Sequence, residues 1–265
     1  MAQTRLPAEP VTLSETGGIR YLHLGTPWIQ GAMRIRDPSE IYLEYSQQMM
    51  AWLLFLQSKP KMQIAQLGLG TGSLAKFTLE HCPGVINTAV ELNPAVIIAA
   101  RTMFDLPHDH DQLKVVQDDA LSFVKNKRHH QQFDVLQVDL YDADAKGPVL
   151  SSIEFYKACF NTLKATGVMT VNLFSQHKSF DINLNNMCKA FQGRVLIFPE
   201  SHDCNAVAIA FKGPMINANW KNIEQRAKII HDQTGLPTKS WAKGLRSVNA
   251  RHNEDTDELS GEPNR

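Results

Sequence analysis

Between Ile64 and Phe77 the chain reads Ile-Ala-Gln-Leu-Gly-Leu-Gly-Thr-Gly-Ser-Leu-Ala-Lys-Phe, and this stretch constrains the fold more than any other. A short apolar run meets three glycines at alternate positions, Gly68, Gly70 and Gly72, and helix formers with apolar spacing follow (Leu74, Phe77). That order spells strand, tight turn and helix. Glycine suits such a turn because the backbone there adopts angles that a side chain would forbid. A bare loop also lets a ligand lie against the backbone, where the first turn of the helix offers unpaired N–H donors.

About 20 residues beyond the loop, Val90-Glu91-Leu92-Asn93-Pro94 sets a carboxylate at the end of a second strand pattern, Thr88 to Leu92. An acid at that distance holds a ribose hydroxyl pair in nucleotide-binding α/β units. The glycines at every second position depart from the dinucleotide fingerprint. They are closer to the first motif of S-adenosylmethionine-dependent transferases, with an adenosine group as the common denominator.

The rest of the chain repeats the alternation. Strands are expected at Leu113–Gln117, Phe133–Asp139 and Val168–Phe174, and an antiparallel edge pair at 194–198 and 206–211. Helices are expected at 95–104, from Leu121, at Glu154–Lys164 ending in Thr166-Gly167, at 180–191 and at 220–233. Strand–helix alternation from 62 to 211 specifies an α/β fold with a doubly wound, mostly parallel sheet. Ligands bind such sheets off the carboxyl ends of the strands. The glycine loop, Glu91, Asp119 and Asp139 all fall there.

Before the loop, residues 1–18 read as a loose start, and Ile19–Leu24 and Trp28–Ile35 as a small N-terminal β-hairpin. A helix over 39–57 should follow, with Pro38 in its first turn. The division expected is therefore 1–57 for hairpin and linking helix, 58–246 for a Rossmann-like catalytic domain, and 247–265 for a disordered tail.

Composition removes several classes. Among 265 residues, Lys+Arg and Asp+Glu number 27 each, so no overall field favours nucleic acid or an anionic membrane. The longest apolar run, Met49 to Leu56, is too short to span a bilayer, and the first residues carry no apolar core of signal-peptide length. Four scattered cysteines without a C-x-x-C pair point to reduced thiols, so a cytoplasmic protein is expected. His108-Asp109-His110-Asp111 reads as a solvated turn, and no metal is expected. His129-His130 reads as solvated, and Trp220 and Trp241 as packing residues.

Taken together, these segments resemble the spermidine synthase (polyamine aminopropyltransferase) family, on the class I methyltransferase-like Rossmann fold. The resemblance runs from about Leu22 to Lys212 and rests on Gln30, the glycine loop, Val90–Pro94, Asp119-Ala120, and above all Phe133-Asp134-Val135-Leu136-Gln137-Val138-Asp139-Leu140-Tyr141-Asp142. It implies decarboxylated S-adenosylmethionine (or S-adenosylmethionine) as co-substrate, held by Gly68, Gly70, Thr71, Gly72, Glu91, Leu92, Asp119 and Ala120. Glu91 would take the ribose and Asp119 the adenine amino group. Asp139 would take the proton from the attacking amine, and Asp142 would bind the far ammonium of a diamine such as putrescine. Gln30, Tyr42, Tyr45 and Tyr141 would line the amine pocket. Relatives of this kind often form dimers, so a homodimer is among the expectations.

The chain departs from the family at three points. Thr71 stands where the family usually has an Asp in the loop, Tyr42-Leu43-Glu44 where it has Tyr-His-Glu, and Ala145 follows Asp144 where it has Pro. These keep open a methyltransferase on the same scaffold, and a non-catalytic relative that binds a nucleoside or polyamine.

Overall fold

The computed structural model describes residues 9–141, 150–199, 201, 204–213 and 219–247. Asp142, Asp144, Ala145 and the tail from residue 248 onward lie outside the described residues.

Three strands, β1 (Val11–Thr16), β2 (Ile19–Leu24) and β3 (Gly31–Arg34), form an antiparallel sheet in that order. The expected hairpin is therefore a three-stranded sheet, and the loose start is corrected to strand from Val11. Five of the six β1 residues are exposed, so its sequence carries no buried face to read. Pairing with β2 makes it a strand, with Gly17-Gly18 as the turn.

The linking helix begins later than expected. Helix α1 (Glu44–Gln48) passes directly into a 3-10 helix (Met49–Leu54), and Pro38 lies ahead of both. All six residues of the 3-10 helix are buried, Met49, Met50, Ala51 and Trp52 completely. This segment is apolar all round and is held by packing rather than by an amphipathic stripe.

The larger sheet contains β4 (Gln63–Leu67), β5 (Ile86–Glu91), β6 (Leu113–Gln117), β7 (Phe133–Val138), β8 (Leu163–Phe174), β9 (Val195–Ile197) and β10 (Asn205–Phe211). Their order is β6-β5-β4-β7-β8-β10-β9, and β10 alone runs antiparallel to both its neighbours. Helices α2 (Ser73–His81), α3 (Pro94–Met103), α4 (Ala120–Lys125), α5 (Ile153–Thr162), α6 (Phe180–Ala190) and α7 (Trp220–Thr234) complete the α/β fold. Local chemistry sets their starts. Pro94 opens α3, where Asn93 Oδ1 accepts from Ala95 N at 2.9 Å, and Ser152 caps α5 by accepting from Phe155 N. The stretch Leu163–Gly167, expected to close α5, belongs instead to β8, which pairs along β7 through a register shift.

Strand order reverses at β4, where β5 departs to one side and β7 to the other. A crevice opens at such a point, beyond the carboxyl ends of the strands. One face of the central strands packs on the 3-10 helix and α7, the other on α4, α5 and α6. The face toward the 3-10 helix changes character along the strands. Ile64, Val135, Val168 and Phe211 form an apolar row, and the next row is Gln66, Gln137, Thr170 and Ile209. Two residues further on are Gly68, Asp139 and Asn172.

The N-terminal sheet is clamped to this body. Gly31 abuts the glycine loop so closely that a Cβ there would meet Thr71 Cγ2 at 2.7 Å. Lys76, buried in α2, donates to Phe104 O at 2.6 Å and reaches Met33 Sδ at 3.2 Å, and burial lowers its ammonium to about 8. Trp241 packs edge-on to Phe198 as expected of a packing residue. His129, expected in solvent, is half-buried and stacks on Phe123.

Gly68 has φ +88°, and a Cβ there would run into the backbone carbonyl oxygen of Asp139. Gly17, at φ +58°, faces open space. Chemical denaturation should therefore show Gly68→Ala destabilised by about 3 kcal/mol and Gly17→Ala by about 1 kcal/mol. Equal losses would mean that the β4–β7 approach is not rigid.

Candidate active site

The glycine loop is tied to both neighbouring strands. Gly68 N–H donates to Val90 O at 2.8 Å, and Asp139 N–H donates to Leu67 O at 2.9 Å. Glu91 stands beneath the loop, its Oε2 accepting from Leu69 N–H at 3.0 Å and its Oε1 from Asn93 N–H at 2.8 Å. Burial raises the Glu91 carboxyl above its ordinary value, and these backbone N–H groups partly pull it back. Its carboxylate thus fixes the turn that it was expected to serve as a neighbour.

Asp139 follows β7 at the same edge. Its side chain is half-buried and accepts from Asn172 Nδ2 at 3.0 Å. Burial pushes its carboxyl up to about 6, against the lowering effect of the Asn172 bond. A carboxylate in that range is ionised at neutral pH yet basic enough to accept a proton, the poise wanted in a general base.

A narrow cleft lies between the glycine loop, Asp139 and the N-terminal sheet. Its lining includes Gln30, Gly31 and Ala32, then Leu43, Tyr45 and Ser46, then Leu69 to Thr71, together with Gln66 and Asp139. Of the residues expected to act together, Gln30, Tyr45, Gly70, Thr71 and Asp139 line this cleft. Thr71 is only 3% exposed and its hydroxyl lies 2.8 Å from Ser73 Oγ.

The remaining expected residues are not part of this lining. Asp119 caps α4, with Oδ1 accepting from Ser122 N–H at 2.8 Å, and Ala120 packs into the core beneath. Leu92 is 60% exposed, an unusual place for a large apolar side chain beside Glu91. The Tyr141 hydroxyl donates to Asn205 Oδ1 at 3.3 Å, and burial raises its pKa. Tyr42 is not brought to the cleft. It packs edge-on against Tyr21, with the Arg34 guanidinium 5.4 Å above its ring. The acidic turn at 108–111 is engaged in part by Arg101, which pairs with Asp109 at 2.6 Å.

Three polar neighbours escaped the sequence reading: Asn172, Gln66 and Ser46. The signal was present for the first two, since each interrupts an otherwise apolar strand. A polar residue fully buried in a sheet needs a partner, and here Asp139 is one.

Three kinds of comparison bear on the family and the fold. A family model described as the spermine/spermidine synthase domain matches residues 44–224. A polyamine aminopropyltransferase of Neisseria meningitidis serogroup A is 34% identical over 239 residues, covering 90% of each chain. Among solved structures, a probable spermidine synthase from Corynebacterium glutamicum superposes with TM-score 0.69 at 19% identity, covering 89% of this chain and 91% of the other. Human methyltransferase-like protein 13 in complex with SAH superposes with TM-score 0.64 at 20% identity, covering 74% and 94%. The two superpositions bear on the fold, which is that of class I methyltransferases.

The raised pKa of Asp139 has a consequence for stability. An acid whose folded pKa exceeds its ordinary 3.8 destabilises the fold when ionised, so the penalty is absent below pH 3.8 and complete above about 6. Asp139→Asn should therefore melt at a higher temperature than wild type above pH 6, with the gap closing as the pH falls through this window. A gap independent of pH would assign the effect to packing.

Proposed function

The chain belongs to the spermine/spermidine synthase family, and from that membership we propose that it is a polyamine aminopropyltransferase. It moves the aminopropyl group of decarboxylated S-adenosylmethionine to a diamine such as putrescine. The observation that carries this reading is one cleft lined by both the glycine loop, which Glu91 holds through Leu69 N–H, and the half-buried Asp139. The relative at 34% identity supports it over nearly the whole chain.

The chemistry follows from the proton. A primary amine has a pKa of roughly 10 and arrives as an ammonium, which has no lone pair with which to attack carbon. Asp139 accepts one of its protons. The freed nitrogen then bonds to the carbon attached to the sulfonium as the carbon–sulfur bond breaks, and methylthioadenosine leaves with the electron pair. Asn172 acts through Asp139, holding its carboxylate in one orientation. In this proposal Glu91 orders the loop Gly68, Gly70, Thr71 and Gly72 and faces the ribose, while Asp119 and Ala120 border the adenine and Leu92 covers its face. Gln30, Tyr45 and Tyr141 border the acceptor amine. The expected role of Asp142, outside the described residues, belongs to the same proposal, as does the division at residues 57 and 246.

Among the described residues no helix is long and apolar enough to cross a membrane, and the proposal places the protein in the cytoplasm, acting on small polyamines as a homodimer.

Purified protein given decarboxylated S-adenosylmethionine and a panel of diamines should yield a product heavier by one aminopropyl unit, read by mass spectrometry. Asp139→Asn should lower kcat by about 10²- to 10⁴-fold. Methyl transfer from S-adenosylmethionine, with no aminopropyl product, would overturn the proposal in favour of a methyltransferase.

A further inference from the structure

Lys76 is a buried nucleophile that the proposed reaction does not use. Its side chain, in α2, is 4% exposed, and its Nζ donates to Phe104 O at 2.6 Å and lies 3.2 Å from Met33 Sδ. An ammonium carries three N–H donors and a thioether is a weak acceptor, so one of its hydrogens alone is well used. Burial brings its pKa down from 10.5 to about 8, against the raising effect of Asp105. At pH 8 about half of such amines are neutral and hold a free lone pair, against roughly 0.4% of an ordinary lysine. Desolvation activates lysine as a nucleophile in this way.

A groove of about 280 Å³ runs past this side chain, between α2, the segment ahead of α1 and the turn after α3. It shares no lining residue with the cleft. Pro38, Leu79 and Pro107 give it apolar walls, Glu80 and Asp105 give it two exposed carboxylates, and Lys76 completes it. Asp105 directly follows Phe104, whose carbonyl holds Lys76 Nζ, so the amine lies one peptide unit from the lining. The remaining charge at this corner comes from β2, where Arg20 Nη1 donates to Met103 O. Arg20 and Lys76 thus cover successive carbonyls at the end of α3, where cations are favoured. Arg20 keeps that role when Lys76 loses its charge.

The surroundings discriminate among acyl groups. A carbamate or a succinyl chain would set negative charge beside Glu80 and Asp105. A short neutral chain meets Pro38, Leu79 and Pro107, and the amide it forms keeps one N–H for Phe104 O. What is lost is the charge and the hydrogen directed at Met33, in β3.

We propose that Lys76 is a modification site, acylated at Nζ by neutral acyl phosphates that enter through this groove, and that the product loosens the N-terminal sheet from α2. The Nζ lone pair bonds to the acyl carbon as the bond from that carbon to the phosphate oxygen breaks. Phosphate leaves with the electron pair and takes up the proton that the nitrogen sheds. None of this depends on what the cleft binds.

The full chain is treated with acetyl phosphate between about pH 7 and pH 10, and peptide mass spectrometry follows Lys76 beside exposed Lys114 and Lys125. At pH 8 Lys76 should be acetylated about tenfold faster than either, and its rate should level off above that pH while theirs keeps rising. A Lys76 rate no higher than theirs at pH 8 overturns the proposal. With succinyl phosphate the advantage of Lys76 over Lys114 should shrink by about tenfold, and an undiminished advantage overturns the selection of neutral acyl groups. Hydrogen exchange reads the consequence. Amides of Gly31–Arg34 should exchange about tenfold faster after acetylation of wild type, and not in Lys76→Arg treated alike. Unchanged exchange in acetylated wild type overturns the loosening. Should Lys76→Arg misfold, untreated wild type is the reference, against protein acetylated only long enough to modify Lys76.

Discussion

The structure depends on one close approach, that of the backbone at Gly68 to the backbone at Asp139. Leu67 and Asp139 share a hydrogen bond across β4 and β7, and the space at Gly68 that a Cβ would fill is occupied by the Asp139 carbonyl. The turn that begins the glycine loop is thereby fixed against the residue that carries the acid. On the other side the loop is tied to β5 by Gly68 N–H and to Glu91 by Leu69 N–H. Three strands distant in sequence hold one turn, so the geometry of the cleft is a property of the sheet rather than of a mobile loop. Preorganisation of this kind is what lets a charged group act without first rearranging.

The sheet beneath the cleft is graded. Its central strands begin with an apolar row, pass through amides and a threonine, and end with Asp139 and Asn172. Each step toward the carboxyl ends exchanges packing for polarity. The 3-10 helix over this face contributes the Met49 carbonyl as a shared acceptor, which anchors Gln137 and Thr170. A fold optimised for stability alone would fill these positions with aliphatic side chains. Half-buried Asp139, raised to about 6, carries the same signature of stability exchanged for function.

Much of this was legible in the sequence because strong periodicity and glycine chemistry act locally. The glycine loop, α3 with its Asn93 cap and Pro94, the apolar β7 and the antiparallel edge pair all declare themselves within a few residues. What escaped depends on distant partners. Val11–Thr16 has an exposed, polar sequence and is a strand only because β2 lies beside it. Residues 39–43 carry a helix-start signature, but the helix begins at Glu44, where the chain meets the larger sheet. Leu163–Gly167 reads as a helix end and is drawn into β8 by pairing with β7. At the site, Asp139 and Glu91 announced themselves as acids at strand ends. Gln66 and Asn172 required knowing which face of each strand meets the cleft, and that Tyr42 turns to Tyr21 instead is a matter of tertiary packing.

A crystal of the protein grown with methylthioadenosine and putrescine tests most directly whether these separated residues make one reaction centre. The nucleoside should lie against Gly68–Gly72 with its ribose toward Glu91, and an amine nitrogen should sit within hydrogen-bond distance of Asp139. Ligands bound elsewhere, or a nucleoside in place with the amine remote from Asp139, would contradict a single centre for donor and acceptor.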